Sequence, residues 1–163
     1  MVTLYYEVAK LVNRVNTNAL LIGRNIKQDR SNDFFHLGVQ DAEDFIKDKI
    51  RSIANRIFAD CFIQYSRDMT YPNGNPVTPF SCEEDAEEIE YNFNLPEGAD
   101  PNLGIPLLQA VEDAIIEYVT YEWLYHTNYD YRKAEQIYKE YLDRITGMMS
   151  KRHGVTLRNY KYY

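Results

Sequence analysis

The sequence predicts a mainly α-helical domain, a small helical bundle with a long antiparallel helical hairpin, a β-hairpin insertion and an extended C-terminal tail. Three observations point there. Apolar residues recur at three- and four-residue steps over four separate stretches, which is the period of one helix face. Residues 88–95 alternate polar and apolar, which is the period of a half-buried strand. Beyond Gly154 neither period survives.

The first stretch, Leu4 to Leu21, sets Tyr5, Val8, Leu11, Val12 and Val15 on one face and reads as a helix. Residues 23–38 are polar, turn at Ser31-Asn32-Asp33, and read as a loop pinned by Phe34 and Phe35. A second helix starts near Asp41, a residue type that caps the free N–H groups of a first turn, with Glu43 and Asp44 where the helix dipole favours acids. Ile46, Ile50, Ile53, Ala54, Ile57, Phe58, Cys61 and Phe62 carry its stripe to about Tyr65.

An insertion over residues 66–103 follows. Tyr71-Pro72-Asn73-Gly74-Asn75-Pro76 is dense in turn formers, and Glu88 to Leu95 forms the strand. Residues 76–80 are its expected partner in an antiparallel hairpin, held to an edge by Pro76 and Pro79. Pro106 suits the first turn of a third helix, since it lacks an N–H that would go unpaired there. Leu107, Val111, Ala114, Tyr118, Tyr121 and Tyr125 line one face of it. After the turn Thr127-Asn128-Tyr129-Asp130, the residues Tyr131, Ala134, Tyr138, Tyr141, Ile145 and Met148 line a fourth helix. Two such stripes joined by a short turn predict an antiparallel helical hairpin. The expected organisation is a helical domain over residues 1–154 and an extended arm over residues 155–163.

A chain of 163 residues with 45% hydrophobic residues can bury a core without disulfides or metals. Cys61 and Cys82 are too few for a stapled secreted scaffold and read as reduced thiols, Cys61 in the core. The first residues lack the basic-then-apolar layout of a secretory signal, and no apolar run is long enough to span a membrane. Fifteen tyrosines against one tryptophan supply rings with polar tips, a chemistry that suits interfaces as well as ordinary cores. Charge is strongly segregated. Residues 68–131 hold fourteen acids and no Lys or Arg, whereas residues 132–163 hold eight Lys or Arg and three acids. Opposite regions can meet within one molecule or across a head-to-tail contact between copies.

Catalytic patterns are missing from the sequence: it has no Gly-rich phosphate loop, no nucleophile elbow and no zinc-protease histidine pair. The expectation is a protein that is not an enzyme, with no catalytic, cofactor-binding or metal-binding residues. Glu122 and His126, four apart, read as a helix-surface pair rather than the Glu-x-x-His of a di-metal bundle. The run Glu83-Glu84-Asp85-Glu87-Glu88 lacks the alternating ligands and central glycine of a calcium loop, and reads as a solvated or partner-facing acidic loop.

The residues assigned to partner contact are Arg158, Tyr160, Lys161, Tyr162 and Tyr163 in the arm, with Tyr91 and Phe93 near the acidic loop. A basic, aromatic arm can track phosphates and stack bases, but fourteen acids and a pI near 5.0 repel a polyanion and weigh against nucleic acid. The same arm fits an acidic protein groove or adds as a strand to a neighbour's sheet.

The stretch Ala110-Val-Glu-Asp-Ala-Ile-Ile-Glu-Tyr-Val-Thr-Tyr-Glu-Trp-Leu-Tyr125, followed by Tyr131 to Met149, resembles the paired helices of the adaptor, or connector, proteins of tailed bacteriophages. The Tyr- and Asn-rich composition is similar to that of phages of low-GC hosts, the crAss-like group among them. The resemblance implies a structural virion protein in a homo-oligomeric ring between the portal protein and other connector or tail proteins, at the head–tail junction. It implies that Val155 to Tyr163 is the portal-contacting arm and that Tyr71 to Leu95 faces the next ring or a neighbouring subunit.

Overall fold

The architecture is mainly α, with four helices and a small three-stranded antiparallel sheet. The computed structural model describes residues 1–25, 39–82, 87–126 and 130–150. In chain order the elements are β1 (Val2–Glu7), α1 (Val8–Asn25), α2 (Val39–Ile57), β2 (Phe80–Ser81), β3 (Glu88–Phe93), α3 (Gly104–His126) and α4 (Arg132–Ser150).

The first element differs from the sequence reading. Val2 to Glu7 is a strand, and the helix begins only at Val8. Leu4 and Tyr6 are buried while Thr3 and Tyr5 are exposed, so the alternation is that of a strand. Tyr5 falls on the helical period by coincidence of spacing. The run Val-Thr-Leu-Tyr-Tyr carries the β-branched and aromatic residues that strands favour. Its partner is β3, paired antiparallel from Val2↔Phe93 to Glu7↔Glu88.

The insertion is also rearranged. β3 is the central strand, in the order β1-β3-β2, and β2 contributes only Phe80 and Ser81. The expected partner over residues 76–80 does lie antiparallel to β3 at its later end, where Phe80 pairs with Tyr91 and Pro79 O accepts from Asn92 N–H at 2.8 Å, while its first two residues turn elsewhere. Val77 donates its N–H to Met69 O at 3.0 Å, and Thr70 bridges Pro76, closing a small turn of its own. Gly74 sits in that turn at φ +84°, a conformation that costs glycine little.

The second helix reaches Tyr65 as expected, but not as one regular element. After Ile57 it widens to a π turn over Phe58–Phe62 and tightens to a 3₁₀ turn over Ile63–Tyr65. There Phe62 stacks on Phe93 at 4.4 Å between centroids, and Phe58 on Phe80 at 5.0 Å.

One apolar cluster joins residues of all four helices with those of β1 and β3. Ile46, Ile50, Ile53, Ala54 and Ile57 of α2 meet Ile89, Tyr91 and Phe93 of β3 in it, all at 1% exposure or less. Each such aliphatic side chain contributes roughly 1.5–3 kcal/mol by leaving water. α3 is the hub, packed against α1, α2, α4 and β1. Ile116, Val119 and Trp123 are therefore buried beside the Leu107–Val111–Ala114 stripe. α3 and α4 form the antiparallel hairpin expected from their stripes, with Ala134, Tyr138, Ile145 and Met149 as the buried side of α4.

Candidate interaction surface

Of the residues assigned to partner contact, Arg158, Tyr160, Lys161, Tyr162 and Tyr163 lie outside the described residues. Tyr91 and Phe93 are described, and their assignment is corrected: both are at 0% exposure. The strand's alternation selects them for its apolar face, and in the central strand of the sheet that face is core. Tyr91 packs edge-on against Tyr6 and Phe62, with its hydroxyl donating to Ala54 O at 3.2 Å. Neither side chain can reach a partner without unfolding the sheet.

The groups with potential chemistry are committed internally. Glu122 accepts from Lys49 of α2 at 3.0 Å and lies 3.7 Å from His126. Its carboxylate therefore ties α3 to α2, and the His126 ring packs edge-on against Phe45 at 5.6 Å. Lys49 has its pKa raised, first by the bond to Glu122. Cys61 is buried, with its Sγ 3.7 Å from Thr146 Oγ1, and Cys82 is half-buried. Both thiols are free, and burial pushes both pKa values up, away from the thiolate form that reacts. Among the described residues no three His, Cys, Asp or Glu side chains gather closely enough to hold a metal ion. No helix among them is long and apolar enough to cross a membrane.

What remains is surface. At the α3–α4 end of the hairpin Tyr121, Tyr125 and Tyr131 form a triangle, with ring centroids 5.3 to 6.3 Å apart. Tyr125 is 51% exposed, whereas Tyr138, from the same periodic set, is core. Equal spacing placed them together in the sequence, and only the course of the two helices separates them. The solvent face of the sheet is acidic. Thr3, Tyr5 and Glu7 of β1 stand opposite Asn92, Glu90 and Glu88 of β3. The Tyr5 hydroxyl donates to Glu88 Oε1, and that bond, with Glu7 and Glu90 nearby, pushes its pKa up to about 12. A cleft of about 860 Å³ between α1 and α2 is lined by Glu43, Lys47, Arg51 and Asn13 among others. It mixes both signs of charge and so selects neither an anion nor a cation.

A second acidic seam lies between α1 and α3. Arg14 pairs with Glu112 at 2.6 Å and Asp113 at 3.2 Å, and Asn18 reaches Glu117 at 3.5 Å. Burial raises the Glu117 pKa, and Asp113 adds to the rise. An acid whose folded pKa lies above its unfolded value binds more protons when folded, so stability falls as pH rises through that folded pKa. Glu117→Gln is therefore expected to raise the urea midpoint at pH 7 slightly and to leave it unchanged well below the carboxylate range. A lower midpoint at pH 7 would show that the carboxylate is needed as an acceptor for Asn18.

No family model, curated protein or solved structure matches the chain.

Proposed function

We propose that this chain is a structural protein that acts by binding other proteins, as a subunit of the ring that connects head to tail in a tailed bacteriophage. The observation that carries the reading is a fold with strongly segregated surface chemistry. An acidic sheet face and a partly exposed tyrosine cluster belong to residues 1–131, residues 68–131 hold fourteen acids and no Lys or Arg, and residues 132–163 hold eight Lys or Arg against three acids. Regions of opposite charge on one subunit suit heterologous contacts, which close into rings when the rotation per copy allows. The α3–α4 hairpin supports the resemblance to connector proteins at the level of architecture. In this role the portal protein and a tail-side ring are the partners, and the assembly lies at the head–tail junction.

Sedimentation velocity of the purified chain, alone and with the portal ring encoded in the same genome, tests the proposal. Co-sedimentation in a fixed multiple is expected, and absence of binding at moderate salt would sink the phage assignment. Binding to nucleic acid that weakens log-linearly with salt would instead favour an accessory protein that uses residues 151–163 on phosphates.

A further inference from the structure

β1 is an edge strand, and the ladder shows which of its backbone groups point outward. Val8 N–H donates to Glu87 O at 2.8 Å, just beyond the Glu7↔Glu88 pair. Hydrogen-bonded and non-bonded pairs alternate along an antiparallel ladder. Tyr6, Leu4 and Val2 therefore aim their backbone groups at β3, and Glu7, Tyr5 and Thr3 aim theirs away from it. The other side of β3 agrees, since Asn92, opposite Thr3, donates its N–H to Pro79 O at 2.8 Å on the β2 side. Among the described residues no strand pairs with the outer edge of β1.

That edge borders a groove. A cleft of about 120 Å³ runs between β1, the start of α1 and α3, lined by Tyr5, Tyr6, Leu11, Leu108 and Glu112 together with the Glu7–Lys10 ion pair. Leu108 at 38% exposure lines the α3 side, with Ile105 at 77% one turn before it on the same helix, and Tyr5 at 44% flanks the other side. Edge strands normally carry a protecting lysine, proline or bulge, and β1 has none of these. The sheet face beside the edge holds Glu88 and Glu90, and among the described residues no Lys or Arg pairs with either. A strand added to β1 thus needs apolar side chains toward α3 and basic or hydroxylic ones toward the acidic face.

The start of residues 155–163 has that pattern. In an extended chain Val155 and Leu157 share one face, which Asn159 and Lys161 continue toward the Glu112 side, and Thr156, Arg158, Tyr160 and Tyr162 share the other. The preceding helix points to the source of the strand. Tyr65 donates its hydroxyl to Met149 O at 3.1 Å and accepts from Asn94 N–H through its own carbonyl at 2.8 Å. α4 therefore ends on the β2 side of β3, so an arm of the same copy has to pass around the sheet to reach the β1 edge, whereas the arm of a neighbour does not.

We propose that the groove between the outer edge of β1 and α3 receives residues 155–163 of a second copy of this chain, added as a strand to its sheet. The contact is heterologous, groove of one copy to arm of the next, which is the type that propagates around a ring. It deepens the assembly reading by naming a partner for this surface, and it holds or fails independently of the portal.

The test uses two full-length variants in sedimentation velocity. Tyr5→Pro removes an outward N–H and blocks the groove while keeping the bonds to β3. Arg158→Glu with Lys161→Glu reverses the arm and keeps the groove. Each variant alone should lose the concentration-dependent self-association of the parent chain, and an equimolar mixture of the two should form a dimer. Leu108→Asp, on the exposed wall of the groove, serves as a second block and should weaken association about tenfold or more. Far-UV circular dichroism and melting confirm that each variant is folded. A parent chain that stays monomeric, a mixture that does not associate, or association that survives both blocked grooves would overturn the proposal. Portal binding retained by Tyr5→Pro would keep the connector reading intact even then.

Discussion

Phe93→Ala is expected to destabilise the protein by about 3–5 kcal/mol, the range for truncating a buried aromatic ring. Most domains have only roughly 5–15 kcal/mol in all, so the variant should be largely unfolded by mild urea. The ring is at 0% exposure and stacked face to face on Phe62 at 4.4 Å, on the central strand of the sheet. Phe62, stacked on it, is itself fully buried, so the cavity has little room to collapse. The urea midpoint measured by circular dichroism checks this. A contact residue would give the opposite pattern, a normal midpoint with assembly lost, and would return Phe93 to the surface.

Phe93 also marks where local pattern stops being informative. Alternation from Glu88 to Leu95 gives the strand and its apolar face correctly, but it cannot say whether that face meets core or partner. The answer depends on β1, which pairs with it across some ninety positions of sequence. Local windows do not see that pairing. The same blindness explains β1. Val8, Leu11, Val12 and Val15 truly define a helix face, and the sequence reading extended it backward through Tyr5 because the step of three fitted. α2, α3 and α4 were readable because their stripes are long and their period is satisfied within one element. The observed bounds of α3, Gly104–His126, and the start of α4 at Arg132 lie within two residues of those expected, and the expected stop of α4 at Gly154 lies outside the described residues.

The site was less legible than the fold. Periodic tyrosines in α3 and α4 pointed to facing stripes, yet Tyr138 is core and Tyr125 is half in water. Their fate depends on where the helices diverge from the bundle. The Glu122–His126 spacing was visible, but the ion pair that occupies the carboxylate comes from Lys49, on another helix. The β1–α3 groove had no sequence signal of its own, because it exists only once an N-terminal strand and a helix a hundred residues later are side by side. A run of β-formers before the first helix was the one available hint.

Two adjacent proline substitutions in β1 should behave very differently. Leu4→Pro is expected to cost about 4 kcal/mol or more, because three losses coincide at one position. The Leu4 side chain is 2% exposed, and truncating a buried leucine alone typically costs about 2–5 kcal/mol. Its N–H also points at β3, and a ladder bond removed there leaves a buried carbonyl unpaired at about 1–3 kcal/mol. The proline ring adds a clash, since a strand interior tolerates proline only at an edge with the N–H outward. Tyr5→Pro meets that condition. Its N–H faces away from β3 and its side chain is 44% exposed, so the expected cost is small, mainly the hydroxyl bond to Glu88. Melting temperatures of the pair decide the ladder's phase. A collapse of Leu4→Pro beside a near-parental Tyr5→Pro fixes the outward groups as Thr3, Tyr5 and Glu7. Equal damage from both would mean that the outer edge of β1 is already paired within the folded chain, and the groove would not be open to a second copy.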